Sequence, residues 1–83
     1  MNISEWREEC VYISETTTSA LAGTDTLKNF NGNPSCFVRY CEMQRDTATR
    51  EGFHDSAQYI QHCLDDMQDS RGWTNSSHDG VNT

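Results

Sequence analysis

The residues of this chain best suited to chemistry are cysteines and histidines, which bind zinc through sulfur and nitrogen. They stand at Cys36, Cys41, His54, His62 and Cys63. On a straight strand Cys36 and Cys41 would point to opposite faces, and the adjacent His62 and Cys63 diverge by about 100° around a helix. The spacing therefore favours inert thiols. A small zinc-binding module that uses Cys36, Cys41, His54 and Cys63 is an alternative hypothesis.

Catalysis by a cysteine nucleophile needs a thiolate beside a histidine or a helix start. Cys36 and His54 could meet, but neither lies in a recognisable catalytic motif. The chain also lacks a phosphate-binding glycine loop and a Gly-x-Ser-x-Gly turn, and Asp65 and Asp66 are neighbours that splay apart on a helix. We expect no enzymatic activity and no cofactor.

The charge of the chain limits its partners. Its 83 residues carry a net charge of -7, and 34% of them are hydrophobic. Nucleic acid and anionic lipid would be repelled by such a charge. The same charge would attract a basic protein surface. The alternative is that the charge serves only to keep the protein in solution. There is no apolar run of about 18 residues, as a membrane span needs, and no secretory signal pattern. We expect a cytoplasmic protein with reduced thiols.

Two segments have helical patterns. In residues 4–22, Ser4 is the predicted N-cap, and the apolar stripe consists of Trp6, Cys10, Ile13, Thr17 and Leu21. In residues 53–67, Asp55 is the predicted cap with Gln58 three residues later, an arrangement typical of a capping box. The apolar stripe there consists of Ala57, Ile60, Cys63, Leu64 and Met67.

The segment between these helices has two interpretations. Residues 36–43 are rich in residue types that favour strands, and residues 48–53 could form a second strand after a polar turn. A helix is also possible, with Asn33 as its cap and Pro34 at its first position. We favour the strands, so the predicted fold is α+β, a helix, a β-hairpin and a helix, with an all-α three-helix fold as the alternative.

The domain organisation follows from the change in composition near residue 70. Residues 1–70 are predicted to form one compact domain, and residues 71–83, which are small and polar, a flexible tail. Trp73 is the exception in that tail. It either packs back on the last helix or serves as an exposed anchor for a partner.

Negative charge is concentrated on the two predicted helices. Residues 4–22 hold four glutamates against one arginine, and residues 51–70 hold five carboxylates without any Lys or Arg. Helices lying side by side would combine their outer faces into one acidic surface. The predicted partner-binding residues are Glu8, Glu15, Asp65, Asp66, Asp69 and Trp73. Such a surface can occupy a groove lined with Lys and Arg that otherwise holds phosphates.

In size, charge and predicted element order across residues 4–70, the chain resembles phage-encoded anti-CRISPR proteins, small inhibitors of host defence. The resemblance implies an inhibitor that acts in the host cytoplasm and blocks the basic groove of a nucleic-acid-handling protein complex. The predicted function is therefore a non-enzymatic acidic binding protein that occupies the basic nucleic-acid-binding surface of a partner. The alternatives are the zinc-binding module and a structural or adaptor subunit.

Overall fold

Three α-helices make up the fold in the computed structural model, which describes residues 1–23 and 27–74. They are α1 (Ile3–Leu21), α2 (Pro34–Arg50) and α3 (His54–Arg71), and a 3-10 turn at Lys28–Phe30 precedes α2. The ring of Trp6, near the start of α1, lies 6.3 Å from that of Phe53, just before α3. At the other end, Arg71 of α3 donates a hydrogen bond to the carbonyl of Leu21. Helices α1 and α3 therefore run parallel, and α2 runs antiparallel to both.

The prediction of an α+β fold with a β-hairpin is wrong, and the arrangement matches the all-α alternative. No strand is present in the described part of the chain, and residues 36–43 lie inside α2. Asn33 caps α2 by accepting a hydrogen bond from the amide of Ser35 at 2.9 Å, and Pro34 takes the first position. Phe37, Cys41 and Ala48 are completely buried on one face of α2. Burial at helical spacing outweighs the preference of the individual residues for strands.

Both predicted helix caps are wrong by two residues. In α1 the cap is Asn2, whose side chain accepts from the amide of Glu5 while the Glu5 carboxylate accepts from the amide of Asn2. In α3 the residue before the helix is Phe53, and no side chain caps the helix. Asp55 lies in the first turn of α3 instead.

The core lies between the apolar faces of all three helices. The predicted stripes of α1 and α3 are buried there except for the half-buried Leu21, and α2 covers them. The largest fully buried side chains are Trp6, Phe37, Ile13, Ile60, Met67 and Cys41. Burying each large apolar side chain stabilises a fold by about 1.5–3 kcal/mol. Because the stripes meet in this way, the opposite faces of the helices are left to solvent.

The end of α3 turns the chain back toward the core. Gly72 has a φ of 69°, which favours glycine, and ends the helix. Trp73 is half-buried and packs against the core. The predicted flexible tail, residues 71–83, thus begins inside α3, and residues 75–83 lie outside the described residues.

Candidate functional site

The two helices that carry most of the carboxylates pack directly against each other. Besides the contacts at both ends, the thiol of Cys10 lies 3.8 Å from the carbonyl oxygen of Ser56. This contact sets residue 10 of α1 level with residue 56 of α3. The outer surfaces of α1 and α3 are therefore neighbours along most of the bundle.

Glu8 and Glu15 point away from the core of the bundle. Both are exposed, and they are seven residues apart, so they share one face of α1. That face is opposite the buried stripe that contains Ile13. Neither carboxylate takes part in an ion pair within the described residues. Each is therefore available to a partner.

The three predicted aspartates of α3 are exposed but fan out around the helix. Asp65 is oriented toward α2, because it accepts a hydrogen bond of 2.9 Å from Gln61, which in turn accepts one of 2.8 Å from Arg45 of α2. Asp66 is one residue further and lies on the side of α1, since successive helical residues are about 100° apart. Asp69 lies between these two directions.

The carboxylates form an extended surface and do not gather in one cluster. Glu8 is level with the first turn of α3, whereas Asp65, Asp66 and Asp69 lie in its last two turns. At about 1.5 Å per residue, roughly 16 Å along the bundle axis separates Glu8 from Asp65. The acidic surface therefore runs along the length of α1 and α3.

No arginine of the described residues forms an ion pair with the predicted acidic residues. Arg45 forms an ion pair of 3.0 Å with Asp46, its neighbour on α2. Arg50 donates a hydrogen bond to the hydroxyl of Thr47, and Arg71 donates one to the carbonyl of Leu21. The other ion pair in the described part of the chain joins the terminal ammonium of Met1 to Glu51 at 3.1 Å.

Trp73 lies apart from this acidic surface. It lines a cleft on the α2 side together with Ser35, Val38, Arg39 and Glu42. Its backbone amide donates to the carbonyl of Met67 at 3.4 Å. The large apolar side chains with high exposure are elsewhere, and Tyr59 of α3 and Val11 of α1 are among them.

The residues of the zinc hypothesis do not come together. Cys36 is exposed at the start of α2, and His54 is exposed at the start of α3. Cys41 and Cys63 are buried and free, and burial raises the pKa of both thiols. In residues 1–23 and 27–74 no three His, Cys, Asp or Glu side chains are arranged to hold a metal ion.

One polar contact between α1 and α2 is not predicted by the sequence patterns. The Tyr40 hydroxyl donates a hydrogen bond to the carboxylate of Glu9, and the ring of Tyr12 meets that of Tyr40 edge-on at 6.3 Å. Burial and then this hydrogen bond raise the pKa of Tyr40. Helical spacing assigns Glu9 to the margin of the stripe, but no local signal in the sequence pairs it with Tyr40.

Comparisons of the chain with protein-family models, with curated proteins and with solved structures find no match. Across residues 1–23 and 27–74, none of the helices has both the length and the hydrophobicity to cross a bilayer.

Proposed function

We propose that this chain is a non-enzymatic acidic binding protein that acts in the cytoplasm and occupies the basic, nucleic-acid-binding surface of a partner protein or complex. An inhibitor of the anti-CRISPR or anti-defence kind is the specific form of this proposal. One observation carries it. The carboxylates of Glu8, Glu15, Asp65, Asp66 and Asp69 are exposed on two adjacent helices, and no described Lys or Arg pairs with them.

Carboxylates that form no ion pair, carried on rigid helices, suit recognition of a basic groove. The helices fix the backbone that carries them, so binding has to order side chains but no backbone. Their charge also accelerates encounter with a basic surface in a salt-dependent way. The size and charge of the chain support the anti-CRISPR form of the proposal. The predicted element order does not, because the hairpin is replaced by α2.

The test is competition with nucleic acid. The chain is immobilised and used to capture proteins from a lysate at low and at high salt, and each captured protein is then assayed for nucleic-acid binding with and without the chain. We expect a partner whose nucleic-acid binding is lost when the chain is added, and whose capture weakens as salt rises. A partner that binds the chain and nucleic acid at the same time would contradict the proposal and favour an adaptor subunit.

Matched charge reversals locate the binding surface. The test variant combines Asp66→Lys with Asp69→Lys on α3, and its control combines Glu42→Lys with Asp46→Lys on α2. The two double variants change the net charge by the same amount. An effect of net charge alone should therefore weaken capture equally in both. We expect capture to be lost in the α3 variant and largely kept in the α2 variant, with circular dichroism showing that both remain helical. Equal losses would mean that net charge, and not this surface, attracts the partner.

A further inference from the structure

Exposed apolar side chains lie at the boundary between α1 and α3. Val11 is 53% exposed and Tyr59 is 44% exposed. Val11 follows Cys10, and Tyr59 lies one turn after Ser56, so both flank the Cys10–Ser56 contact on its outer side. Ile3, 45% exposed, continues this row toward the start of α3, where it lines an open pocket with Phe53 and His54. We call Ile3, Val11 and Tyr59 the α1–α3 apolar row.

Carboxylates flank this row on both helices. Glu8 and Glu15 stand three residues before and four residues after Val11, which makes them its neighbours on the surface of α1. Asp55 stands four residues before Tyr59 on α3, and Asp66 follows on the same side. Arg7, four residues from both Ile3 and Val11, lies within the row and is the one basic side chain in α1. The row is therefore an apolar centre, interrupted by one cation, between two acidic margins.

Building on the function proposed above, we propose that the α1–α3 apolar row binds a basic amphipathic α-helix of the partner. Such a helix carries apolar side chains at intervals of three and four residues, with Lys and Arg on either side of them. Its apolar side chains lie against Val11 and Tyr59, and its cations face the carboxylates at the margins. The apolar contacts supply the affinity that exposed charge pairs alone do not.

Charge complementarity distinguishes this occupant from a second copy of the chain. The outer face of α2 carries the exposed Met43 with Arg39 and Arg50, but Asp46 lies among them. Asp46 is already paired with Arg45, so that face is weakly basic. Two chains of net charge -7 nevertheless repel each other, whereas a basic helix is attracted.

The test uses two synthetic peptides and isotope-labelled protein. The first peptide has leucines at helical spacing and lysines elsewhere, and in the second each leucine is replaced by glutamine, so their charges are equal. Amide chemical shifts are followed by NMR while each peptide is added at low salt. We expect the leucine peptide to shift signals around Val11 and Tyr59 and to bind at least about tenfold more tightly than the glutamine peptide.

Two variants with similar loss of exposed apolar surface complete the test. Tyr59→Ser should weaken the leucine peptide to the level of the glutamine peptide, while Met43→Ser, on the outer face of α2, should leave its affinity unchanged. If both peptides bind equally, or if the shifts centre on Met43, the apolar row is not the anchor, although an acidic binding surface still stands. If neither peptide binds at low salt, the proposed function fails as well.

Sedimentation of the peptide-free protein tests the competing occupant. We expect monomers at the concentrations used for NMR. Dimers that dissociate in the Tyr59→Ser variant and persist in Met43→Ser would assign the row to a second copy of the chain and overturn the proposal.

Discussion

The indole nitrogen of Trp6 donates a hydrogen bond of 3.1 Å to the carboxylate of Glu51. This bond joins the first turns of α1 to the turn between α2 and α3, 45 residues later in the chain. The same carboxylate accepts from the terminal ammonium of Met1. The hydrogen bond from Trp6, followed by that from the ammonium, lowers the pKa of Glu51.

A lowered pKa makes Glu51 a source of pH-dependent stability. The ionised carboxylate is favoured in the folded state, so its contribution is present above the pKa of the unfolded chain and is lost as the pH falls through the lower pKa of the folded state. Glu51→Gln should therefore be less stable than the original chain at neutral pH, and the difference should shrink in acid. Urea unfolding at several pH values measures it. Glu8→Gln is the control, and an equal effect in that variant would contradict the assignment.

Arg71 is expected to hold the end of α1 in place. Its guanidinium donates a hydrogen bond of 2.9 Å to the carbonyl of Leu21, one of the carbonyls that the last turn of a helix leaves unpaired. Arg71→Ala should cost about 0.5–1.5 kcal/mol of stability. Hydrogen exchange should accelerate in the last turn of α1 more than in α2. Arg71→Lys keeps the charge but not the planar donor, and full rescue by lysine would contradict a specific hydrogen bond.

The pair of Glu9 and Tyr40 should contribute to stability as a unit. Tyr40→Phe removes the donor and leaves a half-buried carboxylate with one partner fewer, which should cost about 1–3 kcal/mol. A double-mutant cycle with Glu9→Gln, followed by urea unfolding, measures the coupling between the two side chains. Effects that simply add would show that the hydrogen bond contributes nothing beyond the packing of the tyrosine ring.

Cys36 should be the thiol that reacts first with an alkylating reagent. It is exposed, whereas Cys10, Cys41 and Cys63 are buried, and burial raises the pKa of the three buried thiols. Because the thiolate is the reactive form, the three buried cysteines should react only after the helical bundle opens. Mass spectrometry during iodoacetamide treatment should show one fast addition, absent in Cys36→Ser. Several fast additions in the native protein would contradict this burial.

Helical spacing predicts α1 and α3 well, because each buries one apolar stripe. Trp6, Cys10 and Ile13 are buried in α1, and Ile60 and Met67 are buried in α3, as their positions indicate. The hypothesis of one acidic surface requires that these two helices lie side by side, and in the structure the contact of their apolar stripes places them so.

The error in α2 has a physical cause. Phe37, Val38 and Tyr40 have side chains that suit a strand, and local preference alone favours one. The segment becomes a helix because Phe37 and Cys41 are four residues apart and bury the same face. Such burial depends on the other two helices, which short-range patterns do not include. The sequence feature that favours a helix over a strand in this segment is Asn33, the cap, followed by Pro34 at the first helical position.

The position of Asp69 has a consequence for stability. It lies in the last turn of α3, where the helix macrodipole is negative and a carboxylate is unfavourable by about 0.3–1 kcal/mol. Asp69→Asn should therefore raise the melting temperature slightly. The same change would remove a charge from the proposed binding surface. A cation that binds there would offset the unfavourable interaction between Asp69 and the helix macrodipole. A bound partner should therefore make the end of α3 more stable than it is in the free protein.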